Sequence, residues 1–250
     1  MIFFGMIGFI FGSFFSVVAV RIPRGLSISW PRSHCPFCMR TLRMPHLIPV
    51  FSYVFQKGRC SYCKQPISIL YPCTELITGA LFASAFLIFG VSTQLLFSLV
   101  VISLCIIVVL TDLLYLRIPN KIVVFFGLIF LVHRLFIEPF SPWYDPLVTA
   151  FLCFLFLFAV LALSGGGIGG GDVKLFMILA LALGSSMFIL VFFLSTLFGT
   201  MTGIVRKGKT KHYPLAPSIS VAVLLTLFAY DWIWEGMERA LSFIVSYSLY

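Results

Sequence analysis

The stretch 94-QLLFSLVVISLCIIVVLTD-112 decides the fold. It carries no charge until its last residue, and it is long enough to cross the ~30 Å hydrocarbon core of a bilayer as a helix. Comparable runs recur on both sides of it. Candidate spans lie near 2–20, 74–90, 94–112, 121–137, 147–163, 172–185, 187–204 and 214–232, which makes eight. The sixth is short, so 172–204 also reads as one long span interrupted at Gly184. Hydrophobic residues make up 61% of the 250-residue chain and charged residues 10%, where a soluble domain carries about a quarter charged. The expectation is an all-α polytopic membrane protein. The run 1-MIFFGMIGFIFGSFFSVVAV-20 lacks a basic leader and a small-residue cleavage site, so it reads as a retained span.

Charge sorts the loops. Residues 21–70 contain eight Lys or Arg and no Asp or Glu. With eight spans, the same side also receives Arg117, Lys121, Lys174, Arg206, Lys207, Lys209 and Lys211, for 15 of the 17 basic residues. The positive-inside rule then puts both termini outside and the basic loops in the cytoplasm. Orientation and contact with anionic lipid account for the net charge of +9, and nucleic acid is not an expected partner.

The first of these loops holds 35-CPFC-38 and 60-CSYC-63. Two CxxC pairs at this separation suit a structural four-thiolate zinc site formed by Cys35, Cys38, Cys60 and Cys63. A loop too polar for a large core would draw folding free energy from the metal. Two disulfides are the rival reading, and they require an oxidising compartment. His34 adjoins the first pair and reads as a further ligand or a supporting group. Cys73, Cys105 and Cys153 read as packing residues.

Two aspartates stand where spans meet the basic side: Asp112 at the end of 94–112, and Asp172 after 165-GGGIGGG-171. An ionisable residue at membrane depth is a functional candidate by default. Paired carboxylates short of water share one proton, so that one activates water while the other hydrogen-bonds a scissile carbonyl. The plainer reading makes each a helix-end residue in the headgroup zone. The glycines favour the first. They are too many for an ordinary helix start, and they permit close backbone approach. A phosphate loop would need G-x-x-x-x-G-K-[ST] after a strand, and Asp172 would repel the phosphate.

The segment 169-GGGDVKL-175 resembles the G-x-G-D-x-K-L signature of the type IV prepilin leader peptidases, and 111-TDLLYLRIPN-120 their first aspartate motif. In order along the chain, 12-GSFFSVVAVRIPRGLSI-28, 31-PRSHCPFC-38, 48-IPVFSYVFQKGRCSYC-63, 71-YPCTE-75 and 214-PLAP-217 are also similar to that family, and the competence-type members most of all. The resemblance implies a membrane aspartic endopeptidase of the bacterial plasma membrane. Asp112 and Asp172 would be catalytic, Gly169, Gly171 and Lys174 would form the supporting loop, and the four cysteines would hold zinc. Substrates would be prepilins or pseudopilins of pilus, secretion or competence systems, cut on the cytoplasmic side after a leader glycine. Many members also N-methylate the new N-terminus with S-adenosylmethionine. Ser16, His46 and Leu70 replace the family's usual asparagine, nearby acid and arginine, so methylation is the weaker implication. The implied organisation is a first helix over 1–20, a zinc-ribbon-like cytoplasmic domain over 21–70 and a peptidase core over 71–250. Glu75 would receive a basic leader or pair with a loop arginine. A proton- or metal-coupled transporter and a non-enzymatic assembly subunit are the competing classes.

Overall fold

The computed structural model describes residues 1–163, 169–205, 214–229 and Trp232. Residues 165–168 of the glycine run and the basic residues 206–211 lie outside that set. Among the described residues the protein is helical and has no strand, only two isolated bridges. Six helices are long and apolar enough to cross a membrane: α1 (Ile2–Arg21), α3 (Leu70–Phe89), α4 (Thr93–Tyr115), α5 with its π-turn (Asn120–Ile137), α6 (Asp145–Leu163) and α7 (Gly170–Ile204). A short α2 (Phe51–Phe55) sits in the first loop, and a shorter apolar helix, α8 (Ala216–Ala229), closes the described chain. The chain is a multi-pass membrane protein.

Helix α4 is the most buried span. Its Val101, Ile102, Leu104 and Val108 have no exposed surface, as expected of the uncharged run 94–111. Ser92 begins the helix by accepting the Leu95 N–H on its hydroxyl at 3.1 Å, and Leu116, in the left-handed conformation, ends it. Helix α1 lies against α3 almost backbone to backbone. A Cβ at Gly8 would stand 2.6 Å from Gly79 Cα, and one at Gly12 would stand 2.8 Å from Glu75 Cα. In a lipid solvent such close approach, rather than the hydrophobic effect, holds helices together.

Helix α7 is two helices. A straight run from Phe176 to Phe192 would separate them by ~24 Å, at ~1.5 Å per residue. Their ring centroids are 5.4 Å apart. The chain therefore doubles back at Gly184, whose φ of 69° and ψ of 178° suit glycine alone. Two charged side chains fix the reversal. Arg134 Nε donates to the Ala182 carbonyl at 2.7 Å, satisfying the end of the first half, and Ser185 N–H donates to Asp145 Oδ2 at 2.9 Å, satisfying the start of the second. Each sign suits the helix end it meets. Arg134 is clasped between the Phe97 and Phe140 rings, 4.4 Å from either centroid. Among the described residues six helices, not the eight expected, are long and apolar enough to cross; α7 counts as one of them with a break at Gly184, and α8 is a shorter apolar helix.

Candidate active site

The C-terminal turn of α4 and the first turn of α7 reach the same face, and there Asp112 and Asp172 line one open cleft of about 550 Å³. Asp112 is only 6% exposed. Its Oδ2 accepts the Ala216 N–H at 2.9 Å. That donor belongs to the first turn of α8, where backbone N–H groups have no partner within the helix. Asp112 thus does cap a helix, as the plainer reading supposed, but a distant one and from a buried position.

Asp172 is half-buried, and its N–H turns back onto the Gly169 carbonyl at 3.0 Å. A Cβ on Gly169 would lie 2.8 Å from Asp172 Oδ2, so only glycine leaves this carboxylate in place. Gly171 faces Ile118, where a Cβ would sit 3.3 Å from the isoleucine Cβ. Lys174 is exposed and donates from Nζ to Asn120 Oδ1 at 2.9 Å, which ties α7 to the start of α5.

The four cysteines converge. The Sγ atoms of Cys35, Cys38, Cys60 and Cys63 lie within 4.8 Å of one another, and those of Cys35 and Cys63 are 3.7 Å apart. Tetrahedral zinc with Zn–S of about 2.3 Å needs sulfur–sulfur edges of about 3.8 Å, so the cluster fits such an ion. All four are free thiols. Backbone N–H groups of Cys63 and Tyr62 pull the Cys60 thiol down to about 6. The Gln65 backbone opposes, but burial and the neighbouring sulfurs push the Cys63 thiol up to about 11.

The two halves of the cluster repeat each other at the 25-residue offset of the two CxxC pairs, and the repeat extends to the backbone. Cys35 N–H meets the Arg40 carbonyl as Cys60 N–H meets that of Gln65, and Met39 N–H meets the Cys35 carbonyl as Lys64 N–H meets that of Cys60. Met39 and Lys64 both take positive φ, 56° and 60°. His34 points away and bonds the Arg32 carbonyl through Nδ1 at 2.9 Å. Of the remaining cysteines, Cys105 and Cys153 are buried as expected, whereas Cys73 is exposed.

Among the described residues Glu75 pairs with no arginine. Buried on α3, it accepts the Val50 N–H on Oε2 at 2.6 Å. Val50 has a φ of 64°, so this carboxylate holds a strained turn of the cysteine loop against the helices. Glu75 lines a second cavity, of about 620 Å³, between that loop and the ends of α1 and α3.

Known proteins resemble the chain over most of its length. The family described as "Bacterial Peptidase A24 N-terminal domain" matches residues 6–89, and the "Type IV leader peptidase family" matches residues 99–204. A Bacillus subtilis (strain 168) protein named prepilin leader peptidase/N-methyltransferase is 45% identical over 223 residues, covering 87% of this chain and 90% of the relative. Proteins of the same name are 29% identical in Neisseria gonorrhoeae, over 93% of this chain and 92% of the relative, and 34% identical in Klebsiella pneumoniae, over 71% and 82%. No solved structure matches. Identity at this level over nearly the whole length settles the kinship: the chain belongs to the type IV leader peptidase family.

Proposed function

We propose that the protein is a membrane aspartic endopeptidase that removes the leader of type IV prepilins or pseudopilins and N-methylates the exposed N-terminus. One observation carries the peptidase reading: two aspartates from different helices line a single cleft at one membrane face. Two carboxylates that meet in such a cleft do not both ionise easily and titrate as a unit. The ionised member takes a proton from water, which adds to the scissile carbonyl. The neutral member donates a hydrogen bond to that carbonyl oxygen and then supplies the proton on which the amine departs. The Ala216 N–H fixes the Asp112 carboxylate throughout. Gly169 keeps Asp172 unobstructed and leaves room for an extended substrate backbone.

The cleft belongs to the face that carries the basic loops, which supports a site on the cytoplasmic side of a bacterial plasma membrane. A prepilin's basic leader and apolar helix meet at that depth. Cys35, Cys38, Cys60 and Cys63 would hold zinc closed by four thiolates. Such an ion organises the loop and leaves no open position for substrate. S-adenosylmethionine would supply the methyl group.

The test is incubation of purified protein with a prepilin, read by mass spectrometry. Cleavage immediately after the leader glycine, abolished by Asp112→Asn and by Asp172→Asn in inserted protein, is expected. Normal processing by either variant would refute the dyad.

A further inference from the structure

The cysteine loop does not stand clear of the membrane helices. Helices α1 and α3 have 20 residues each, a length of ~30 Å that only just spans the hydrocarbon core. Val50 of the loop meets them inside their ends. Its N–H donates to Glu75 Oε2 at 2.6 Å, and Glu75 stands ~7.5 Å along α3 from the start at Leu70, farther than a glutamate side chain reaches. On α1 the same level is Gly12, whose Cβ would lie 2.8 Å from Glu75 Cα, ~13 Å from the helix end at Arg21. The second cavity agrees, since its lining extends from Ser52 and Tyr53 of the loop to Ser13 and Ser16 of α1. The segment around α2 therefore lies beside the ends of the membrane spans rather than beyond them.

That segment sorts its side chains by face. His46, Ser52, Tyr53 and Gln56 line the cavity. Met44, Ile48, Phe51, Val54 and Phe55 are exposed, Phe55 by 82%. Phe51, Val54 and Phe55 stand at i, i+3 and i+4, so they share one face of α2. Exposed cations bracket the face, with Arg43 before it and Lys57 and Arg59 after it, and residues 21–70 contain no acid to neutralise them. The backbone is provided for internally. Ser52 and Val54 N–H groups donate to the Ile48 and Val50 carbonyls at 2.9 and 3.1 Å, and Glu75 takes the Val50 N–H. In water such a loop donor needs no buried carboxylate, whereas at membrane depth every backbone group left unmet is costly.

We propose that residues 44–59 are an interfacial anchor for anionic lipid. Ile48, Phe51, Val54 and Phe55 lie in the headgroup–acyl boundary of the leaflet that the loop faces, and Arg43, Lys57 and Arg59 bind lipid phosphates. An apolar face rimmed by cations is the pattern of a helix lying in the interface plane of an anionic membrane. Charge complementarity selects this occupant. The same cations would repel a basic leader, and a second copy of the chain would bring identical ones. The anchor gives the cysteine domain an attachment to the bilayer besides α1 and α3, and it does not depend on the activity proposed above.

Photo-crosslinking of the full-length protein tests this. p-Benzoylphenylalanine replaces Phe55 or, separately, Val54, and the protein is irradiated in nanodiscs of equimolar phosphatidylglycerol and phosphatidylcholine. Mass spectrometry identifies the adducts. Phospholipid adducts are expected at both positions, with phosphatidylglycerol exceeding phosphatidylcholine by about threefold or more. Arg43→Gln, Lys57→Gln and Arg59→Gln combined should lower that ratio to less than about twofold. Crosslinked pairs of chains, or no adduct at either position, would overturn the anchor. Equal yields from the two lipids, or a ratio that the triple variant leaves unchanged, would overturn its preference for anionic lipid and with it the proposal. Adducts that move from lipid to prepilin when a prepilin is added to the discs would also overturn it, because the face would then be a dock for the substrate's apolar helix.

Discussion

Asp112 performs two tasks that can be pulled apart by comparing its replacement with asparagine and with alanine. As one of the proposed pair it shares a proton with Asp172, and as a cap it accepts the Ala216 N–H at 2.9 Å from a position 6% exposed. Asparagine retains an oxygen for that N–H and loses the ionisable group. Alanine loses both and leaves a buried backbone donor without a partner, which costs about 1–3 kcal/mol. Both variants should therefore lose cleavage by roughly a thousandfold or more, the scale on which members of a catalytic unit fail singly. Only Asp112→Ala should also lose stability, by about 1–2 kcal/mol relative to Asp112→Asn, within the range for a lost helix cap. Leader removal timed by mass spectrometry gives the first quantity, and pulse proteolysis in detergent gives the second. Residual cleavage above a few per cent in Asp112→Asn would refute the dyad. Equal stability of the two variants would refute the assignment of Asp112 as the cap of α8.

Further outcomes follow from neighbouring features. Gly169→Val places a Cβ 2.8 Å from Asp172 Oδ2, so cleavage should fall at least tenfold with little change in membrane abundance measured by immunoblot. Gly184→Ala introduces a Cβ 2.8 Å from both Asp145 Oδ2 and Phe140 at a backbone conformation other residues avoid; a loss of about 2–3 kcal/mol is expected, read as a lowered unfolding midpoint. Removing metal with a strong chelator should make residues 33–67 protease-sensitive while the membrane helices stay protected, with about one zinc released per chain by elemental analysis. Gly8→Leu, forced against Gly79, should separate α1 from α3 and reduce accumulation of the inserted protein.

The spans were legible because apolar length is a strong signal in lipid, and the turn at Gly184 was marked by one glycine in an apolar run. The four cysteines were legible from spacing alone, and the two aspartates from charge standing where charge is costly. What escaped is backbone chemistry. The sequence 214-PLAP-217 marked a position but not a role, because the group that meets Asp112 is the N–H of Ala216, which every residue but proline carries. The matching backbone turns of the two knuckles escaped for the same reason. Met39 and Lys64 occupy matching left-handed positions with no glycine to flag them. Glu75 looked like a charge in search of a cation, and only the fold reveals that its partner is the main chain of Val50. The transporter and assembly-subunit readings find no support in the chain's relatives, which are named as leader peptidases.

The reversal at Gly184 makes the first half of α7 a strut of fixed length. Its near end presents Asp172, and its far end is held by Arg134 on the Ala182 carbonyl. One residue added or deleted between them would turn Asp172 by about 100° about the helix axis and shift it by about 1.5 Å. The orientation of the carboxylate at the near end is thus a matter of register set at the far end, and the count of residues from 172 to 182 is under as tight a constraint as their identity.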